Sequence, residues 1–141
     1  MNGDTLWQLR YDARQSPVMQ RKTQQRSAIR QAIAMADRPL SPQEILSAAQ
    51  GAAPGLGIAT VYRNIRSLVD DGWLHPVDLP GAASRYEVAG KDHHHHFHCR
   101  SCDKVFEVEH CPGQVVDLAP RGFQPENHDI ILYGLCPACA A

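Results

Sequence analysis

The chain has 141 residues, 14 Lys or Arg against 15 Asp or Glu for a net charge of −1, and an apolar fraction of 43%. These values fit an ordinary folded protein and exclude collagen-like and disordered classes. No run approaches the roughly 18 apolar residues of a membrane-spanning helix, and the opening stretch lacks the apolar core of a secretory signal. The expected location is cytoplasmic, with no membrane partner, where paired thiols read as metal ligands before disulfides. The length allows one ordinary domain or two small ones, and a domain under about 70 residues usually needs a metal, a disulfide or a partner subunit.

The near-zero net charge conceals an asymmetry. Residues 1–66 carry nine Lys or Arg and four Asp or Glu, whereas residues 67–141 carry five and eleven. All eight histidines and all five cysteines lie at or beyond His75. A basic first half suggests an anionic partner, and an acidic, ligand-rich second half suggests cations.

In chain order, residues 23–37 place Ile29, Ile33 and Ala36 at helical spacing, with Thr23 as a candidate N-cap and Arg26 and Arg30 on a polar face. Ser41-Pro42-Gln43-Glu44 is a capping box with proline in the first turn, predicting a second helix to about Ala49. The glycine-rich segment 51–57 is a turn. Val61, Ile65 and Leu68 then share one face of a third helix that Gly72 closes. Two strand-like runs, WLHPVDL and SRYEVAG, flank Pro80-Gly81-Ala82, which predicts a hairpin with a loop of about five residues. Three helices followed by a hairpin is the order of a winged helix. With Val61 and Ile65 inward, Tyr62, Arg63 and Arg66 face outward, as on a recognition helix in a major groove. Thr60, at the start of that helix, and Arg26 complete the candidate DNA-binding set.

Cys99-x-x-Cys102 and Cys136-x-x-Cys139 form two thiol pairs separated by 33 residues. Each turn aims two sulfurs at one locus, and two such turns complete the tetrahedral cage of a structural zinc site. A redox dithiol explains either pair alone but not both. The internal run His93-His94-His95-His96-Phe97-His98 leads directly into Cys99. On a strand, His94, His96 and His98 share one side and His93 and His95 the other, enough to serve two metal sites. Residues available to complete them are His75, Glu87, Glu107, Glu109, His110, Cys111 and His128, a set that suits zinc, iron, manganese or nickel.

Taken together, Thr23-x-Gln-Arg26, Ala59-Thr-Val-Tyr-Arg63, the histidine run entering Cys99-x-x-Cys102, Asn127-His128 and Tyr133-Gly-x-Cys136-x-x-Cys139 resemble the ferric uptake regulator family of bacterial metal-sensing repressors. The similarity covers about residues 20–140. It implies an α+β fold: an N-terminal extension (1–20), a winged helix-turn-helix DNA-binding domain (21–89) and a C-terminal α/β dimerisation domain with a four-cysteine zinc site (90–141). It also implies a homodimer that represses palindromic operator DNA when metal is bound, with no small-molecule substrate. By position, Cys99, Cys102, Cys136 and Cys139 would hold structural zinc. Glu87, His94, His96 and Glu107 fall at the sensor site, and His93, His95 and His128 at a further site. Tyr62 and Arg63 match the DNA-contacting pair.

Three departures shape the expectation. Pro39 stands where many iron-sensing members place a histidine, whereas His75 lies where zinc uptake regulators resemble one another in offering a ligand. The resemblance therefore leans toward a zinc-sensing regulator of metal uptake genes, with an iron- or peroxide-responsive regulator using iron(II) as the alternative. At the further site about Gln114 replaces a usual carboxylate. Cys111 is left over and reads as a half-buried cysteine, although a Cys-Pro pair also suits a haem contact. The competing class is a zinc hydrolase or deaminase, but the helical His-Glu-x-x-His spacing is absent and the deaminase motif is incomplete. A zinc-stabilised interaction or storage module is the third reading.

Overall fold

The computed structural model describes residues 16–141. Most of the expected extension 1–20 lies outside them, and its last four residues belong to the first helix, α1 (Pro17–Ala36). Thr23 is not the cap. Ser16 is, its hydroxyl accepting the Met19 N–H at 3.3 Å with Pro17 following. The first turns of α1 are exposed, Val18 and Met19 included, so apolar residues register the helix only where it meets the core at Gln25, Ala28, Ile29 and Ile33.

Helix α2 (Pro42–Ala49) has both halves of the expected capping box. Ser41 Oγ accepts the Glu44 N–H at 3.2 Å, and the Glu44 carboxylate accepts the Ser41 N–H at 2.9 Å. Helix α3 (Ile58–Asp70) buries Val61, Ile65 and Leu68, as its period requires, and Gly72 at φ +75° supplies the left-handed turn that follows it. Strands β1 (Leu74–Val77) and β2 (Arg85–Val88) pair antiparallel, with the connecting loop 78–84 longer than expected. Leu40 and Tyr86 exchange two backbone hydrogen bonds of 2.9 Å, adding a short third strand to the hairpin. The domain is thus a winged helix.

The second half is a three-stranded sheet of order β4-β3-β5, with β3 (His95–Cys99) central, β4 (Val105–Val108) antiparallel to it and β5 (Ile131–Gly134) parallel. A 3-10 turn (Gln114–Leu118) lies in the crossover, and α4 (Pro137–Ala140) ends the chain. A Cβ on Gly134 would come 3.2 Å from the Phe97 ring, so the missing side chain is what lets that ring lie against β5.

Strand alternation in the hairpin decides how the halves meet. Leu74, Tyr86 and Val88 share the face that packs on the helices, where the larger core, including Ile29, Ile45, Val61, Ile65 and Leu68, is closed. The opposite face carries His75, Val77, Arg85 and Glu87. Val77 packs with Leu79 and with Val105 of the C-terminal sheet, and Arg85 Nη2 donates to Asp103 Oδ2 at 2.8 Å and to the Asp103 carbonyl at 3.1 Å. The hairpin is therefore the element shared by both halves.

Candidate metal centres and nucleic-acid face

The four paired cysteines converge. Strand β3 ends at Cys99, and the turn that follows, with Asp103 at φ +61°, brings Cys102 back beside it. Cys136 is the N-cap of α4, and Cys139 lies within that helix. One sulfur from each lies within 4.8 Å of the other three. Cys102 Sγ and Cys136 Sγ are 3.8 Å apart, the separation of about 3.8 Å that two corners of a tetrahedron have when Zn–S is about 2.3 Å. Backbone N–H groups of Cys102 and Cys136 directed at Cys99 lower its thiol to about 6. Cys139 rises to about 11, because the lowering bond with Ser101 is outweighed by burial and by the sulfurs of Cys136, Cys102 and Cys99. Such a set favours thiolate at one sulfur and lets a cation resolve the crowding at the others.

The second cluster joins the two halves. Glu87 on β2, 3% exposed, meets His94, just before β3, and His96, on β3. His94 Nε2 lies 3.0 and 3.2 Å from the two Glu87 oxygens, while its Nδ1 donates to the Asp92 carbonyl at 2.7 Å. His96 Nε2 is buried without a hydrogen bond, 3.5 Å from Glu87 Oε2. Burial pulls His94 down, but the Asp92 carbonyl and the charges of Glu87 and Glu107 outweigh it and raise the imidazole pKa. Burial likewise pushes Glu87 up, and the two histidines override it and hold the carboxyl below its usual range. An unpartnered nitrogen, a second imidazole and a buried carboxylate converging on one point are the donor set of a divalent cation.

Two expected sensor residues stand outside that cluster. Glu107 on β4 is registered opposite His96, but its carboxylate pairs with Lys91 Nζ at 2.5 Å. His75 is registered opposite Glu87 yet is exposed and absent from the converging set. His98 shares the strand face of His96 but turns to Asp103, with Nε2 to Oδ1 at 2.6 Å.

On the other face of the histidine run, ligand atoms of His93, His95, His128 and Cys111 lie within 4.8 Å of one another. The sequence offers that thiol as one of several residues available to complete a site, and otherwise as a half-buried cysteine. Its position after β4 brings its sulfur within 3.2 Å of His128 Nε2, a proximity that spacing along the chain does not reveal.

On α3, Tyr62, Arg63 and Arg66 are exposed, and Arg63 Nη2 donates to Thr60 Oγ1 at 3.0 Å, which holds the guanidinium along the helix start. A groove of about 710 Å³ between α3 and the hairpin is lined by Tyr62, Arg63, Arg66, Pro76 and Tyr86 among others. Arg26 is committed internally, to Ser67 Oγ at 3.0 Å and Asp71 Oδ2 at 2.8 Å, so it positions α3 against α1.

Comparison with known proteins agrees with this arrangement. Residues 19–133 match the model of the ferric uptake regulator family. The chain is 32% identical over 124 residues to the peroxide operon regulator of Bacillus subtilis, covering 85% of this chain and 84% of that protein. It is 30% identical over 122 residues to the zinc uptake regulation protein of Mycobacterium tuberculosis, covering 84% and 94%. Among solved structures, a zinc-bound manganese uptake regulator superposes with a TM-score of 0.70 at 24% identity, over 79% of this chain and 87% of that one. These relatives are regulators, so the hydrolase and deaminase readings fall away. The chain belongs to the ferric uptake regulator family and is a metal-responsive transcriptional regulator, not an enzyme.

Proposed function

We propose that this protein is a repressor that binds palindromic operator DNA as a metal-loaded homodimer, senses zinc and thereby controls metal uptake genes. The observation that carries the reading is the convergence of Glu87 from the hairpin with His94 and His96 from the C-terminal half, His96 Nε2 being buried without a hydrogen bond. Cys99, Cys102, Cys136 and Cys139 would hold a separate structural zinc.

The cation supplies positive charge that the two imidazoles and the carboxylate can share. Glu87 moves with the winged helix and His94 with the other half, so the three donors meet only at one inter-domain angle. Their leverage equals the difference in affinity between the closed and open arrangements, and about 5.5 kcal/mol would shift the closed state from 1% to 99%. In a twofold dimer, that angle sets the spacing of two α3 helices against two half-sites. Thr60, Tyr62, Arg63 and Arg66 would meet the DNA, Arg26 positioning the helix beneath them. The dimer reading rests on the exposed apolar residues Val116, Leu118, Phe123, Leu132 and Leu135, and on β5 lying at the sheet edge.

Glu87, His94 and His96, with Glu107 freed from Lys91, number four donors, the count zinc prefers, and Pro39 offers none from the N-terminal side. One observation favours a second reading. Two carboxylates in the set suit iron(II) or manganese(II) equally. The test is operator binding by His94→Ala/His96→Ala with zinc, iron(II) and manganese(II) in parallel. Loss of metal dependence with the dimer and structural zinc retained supports the sensor. A variant that still needs metal to bind DNA contradicts it, and a wild type that responds to iron(II) or manganese(II) but not zinc replaces the metal assignment.

A further inference from the structure

We propose that Cys111 is a metal ligand: with His93, His95 and His128 it forms a site of three imidazoles and one thiolate that takes zinc in preference to iron(II) or manganese(II). Four separate segments supply the donors. His93 precedes β3, His95 lies on it, Cys111 follows β4 and His128 precedes β5. His93 Nε2 is 3.2 Å from His95 Nε2 and 3.2 Å from His128 Nε2, and Cys111 Sγ is 3.2 Å from His128 Nε2. His95 is 2% exposed, its ring enclosed and its Nε2 directed into the group.

Hydrogen bonding alone does not satisfy this packing. An imidazole nitrogen carries one proton or one lone pair, whereas His93 Nε2 and His128 Nε2 each face two neighbours at hydrogen-bond distance. A single cation satisfies all four donors. The separations also fit: with Zn–N of about 2.0–2.1 Å, tetrahedral ligand nitrogens lie about 3.3 Å apart. Coordination through Nε2 places the His95 proton on Nδ1, so the Ile130 amide, now 3.1 Å from that nitrogen, is the contact that must lengthen.

The thiolate sets the selectivity. The further site implied by the family resemblance takes a carboxylate near position 114, which is Gln114 here. A sulfur in its place changes a hard oxygen donor for a soft one, favouring zinc over the oxygen-seeking metals. Cys111 and His128 also bracket the loop that carries Val116, Leu118 and Phe123, all exposed, so a metal there ties both ends of that apolar loop to β3. The site shares no residue with Glu87, His94 and His96, and its fate is independent of the sensor.

The test uses the full-length chain with His94→Ala/His96→Ala and one zinc in the Cys99/Cys102/Cys136/Cys139 cluster, its zinc content measured before and after titration with cobalt(II). One further equivalent of cobalt(II) should bind with an intense near-ultraviolet thiolate-to-cobalt charge-transfer band. Adding Cys111→Ser should abolish the band and weaken zinc binding at least as much as the roughly 10- to 100-fold that losing an outer-shell partner costs. Adding Cys111→Asp instead should keep binding without the band and narrow the preference for zinc over manganese(II), which separates ligation from misfolding. No further equivalent bound, a band unchanged in Cys111→Ser, or equal zinc affinities of that variant and its parent would overturn the assignment.

Discussion

Lys91 shows how much a single charge can tune a metal centre. Its ammonium lies 2.5 Å from Glu107 Oε2 and 4.0 Å from Glu87 Oε2, where it neutralises the carboxylates a sensed cation would use. Lys91→Gln removes that competitor and should tighten zinc binding at the sensor about two- to fivefold, the worth of a partly exposed ion pair. Competition against a chromogenic chelator measures it, and unchanged or weaker affinity would contradict the placement. Among single residues, the sequence is informative wherever two donors lie close along the chain. Cys-x-x-Cys and alternating histidines announce themselves through local geometry. Cys111 does not, because its partners are brought to it by the crossover to β5. His75 shows the reverse, since correct register opposite Glu87 still leaves its ring outside the cluster.

Among the elements, α2 illustrates what a start signal contributes. Loss of the Ser41 cap by Ser41→Ala should cost about 0.5–2 kcal/mol in urea unfolding, and a change within error would show the capping box to contribute nothing. Burial pushes the Glu44 carboxyl up, but hydrogen bonds from Arg38 and the Ser41 amide hold it below 4.5. A depressed carboxylate stabilises the fold above its unfolded value and loses that contribution as pH falls through the folded one. Glu44→Gln should therefore be less stable than the parent at neutral pH and converge with it well below pH 4.5. A gap that stays constant with pH would contradict this. Helix α3 gives the matching functional test: Arg63→Ala should weaken operator binding and reduce its salt dependence without altering metal content, and unchanged affinity would count against this face. The capping box, the turns and the α3 face are legible because each rests on local chemistry. The true start of α1 is not, since its first turns touch no core and carry no periodicity.

Across the whole molecule, the halves are stabilised differently. Among the described residues, the N-terminal core holds Ile29, Ile45, Val61, Ile65 and Leu68 among its buried residues, whereas the second cluster is limited to Val77, Leu79 and Val105 with a few partly buried neighbours. A core that small would lean on a metal at the four cysteines, since a structural zinc site can supply of order 10 kcal/mol to folding. Cys99→Ser/Cys136→Ser should abolish the dimer and the C-terminal sheet while the helical signal from α1–α3 largely persists. Retention of a cooperative dimer would show the zinc to be dispensable. The basic-to-acidic division along the chain foretells this partition into a reader and a ligand-rich half, but not that the hairpin's second face joins them. Whether metal gates DNA binding is decided by fluorescence anisotropy of the wild-type protein on a palindromic operator selected from randomised duplexes. Binding should be tight and sequence-selective with zinc, and lost on chelation of the sensor metal while the structural zinc remains. Operator binding of equal strength with and without that metal would contradict the gating.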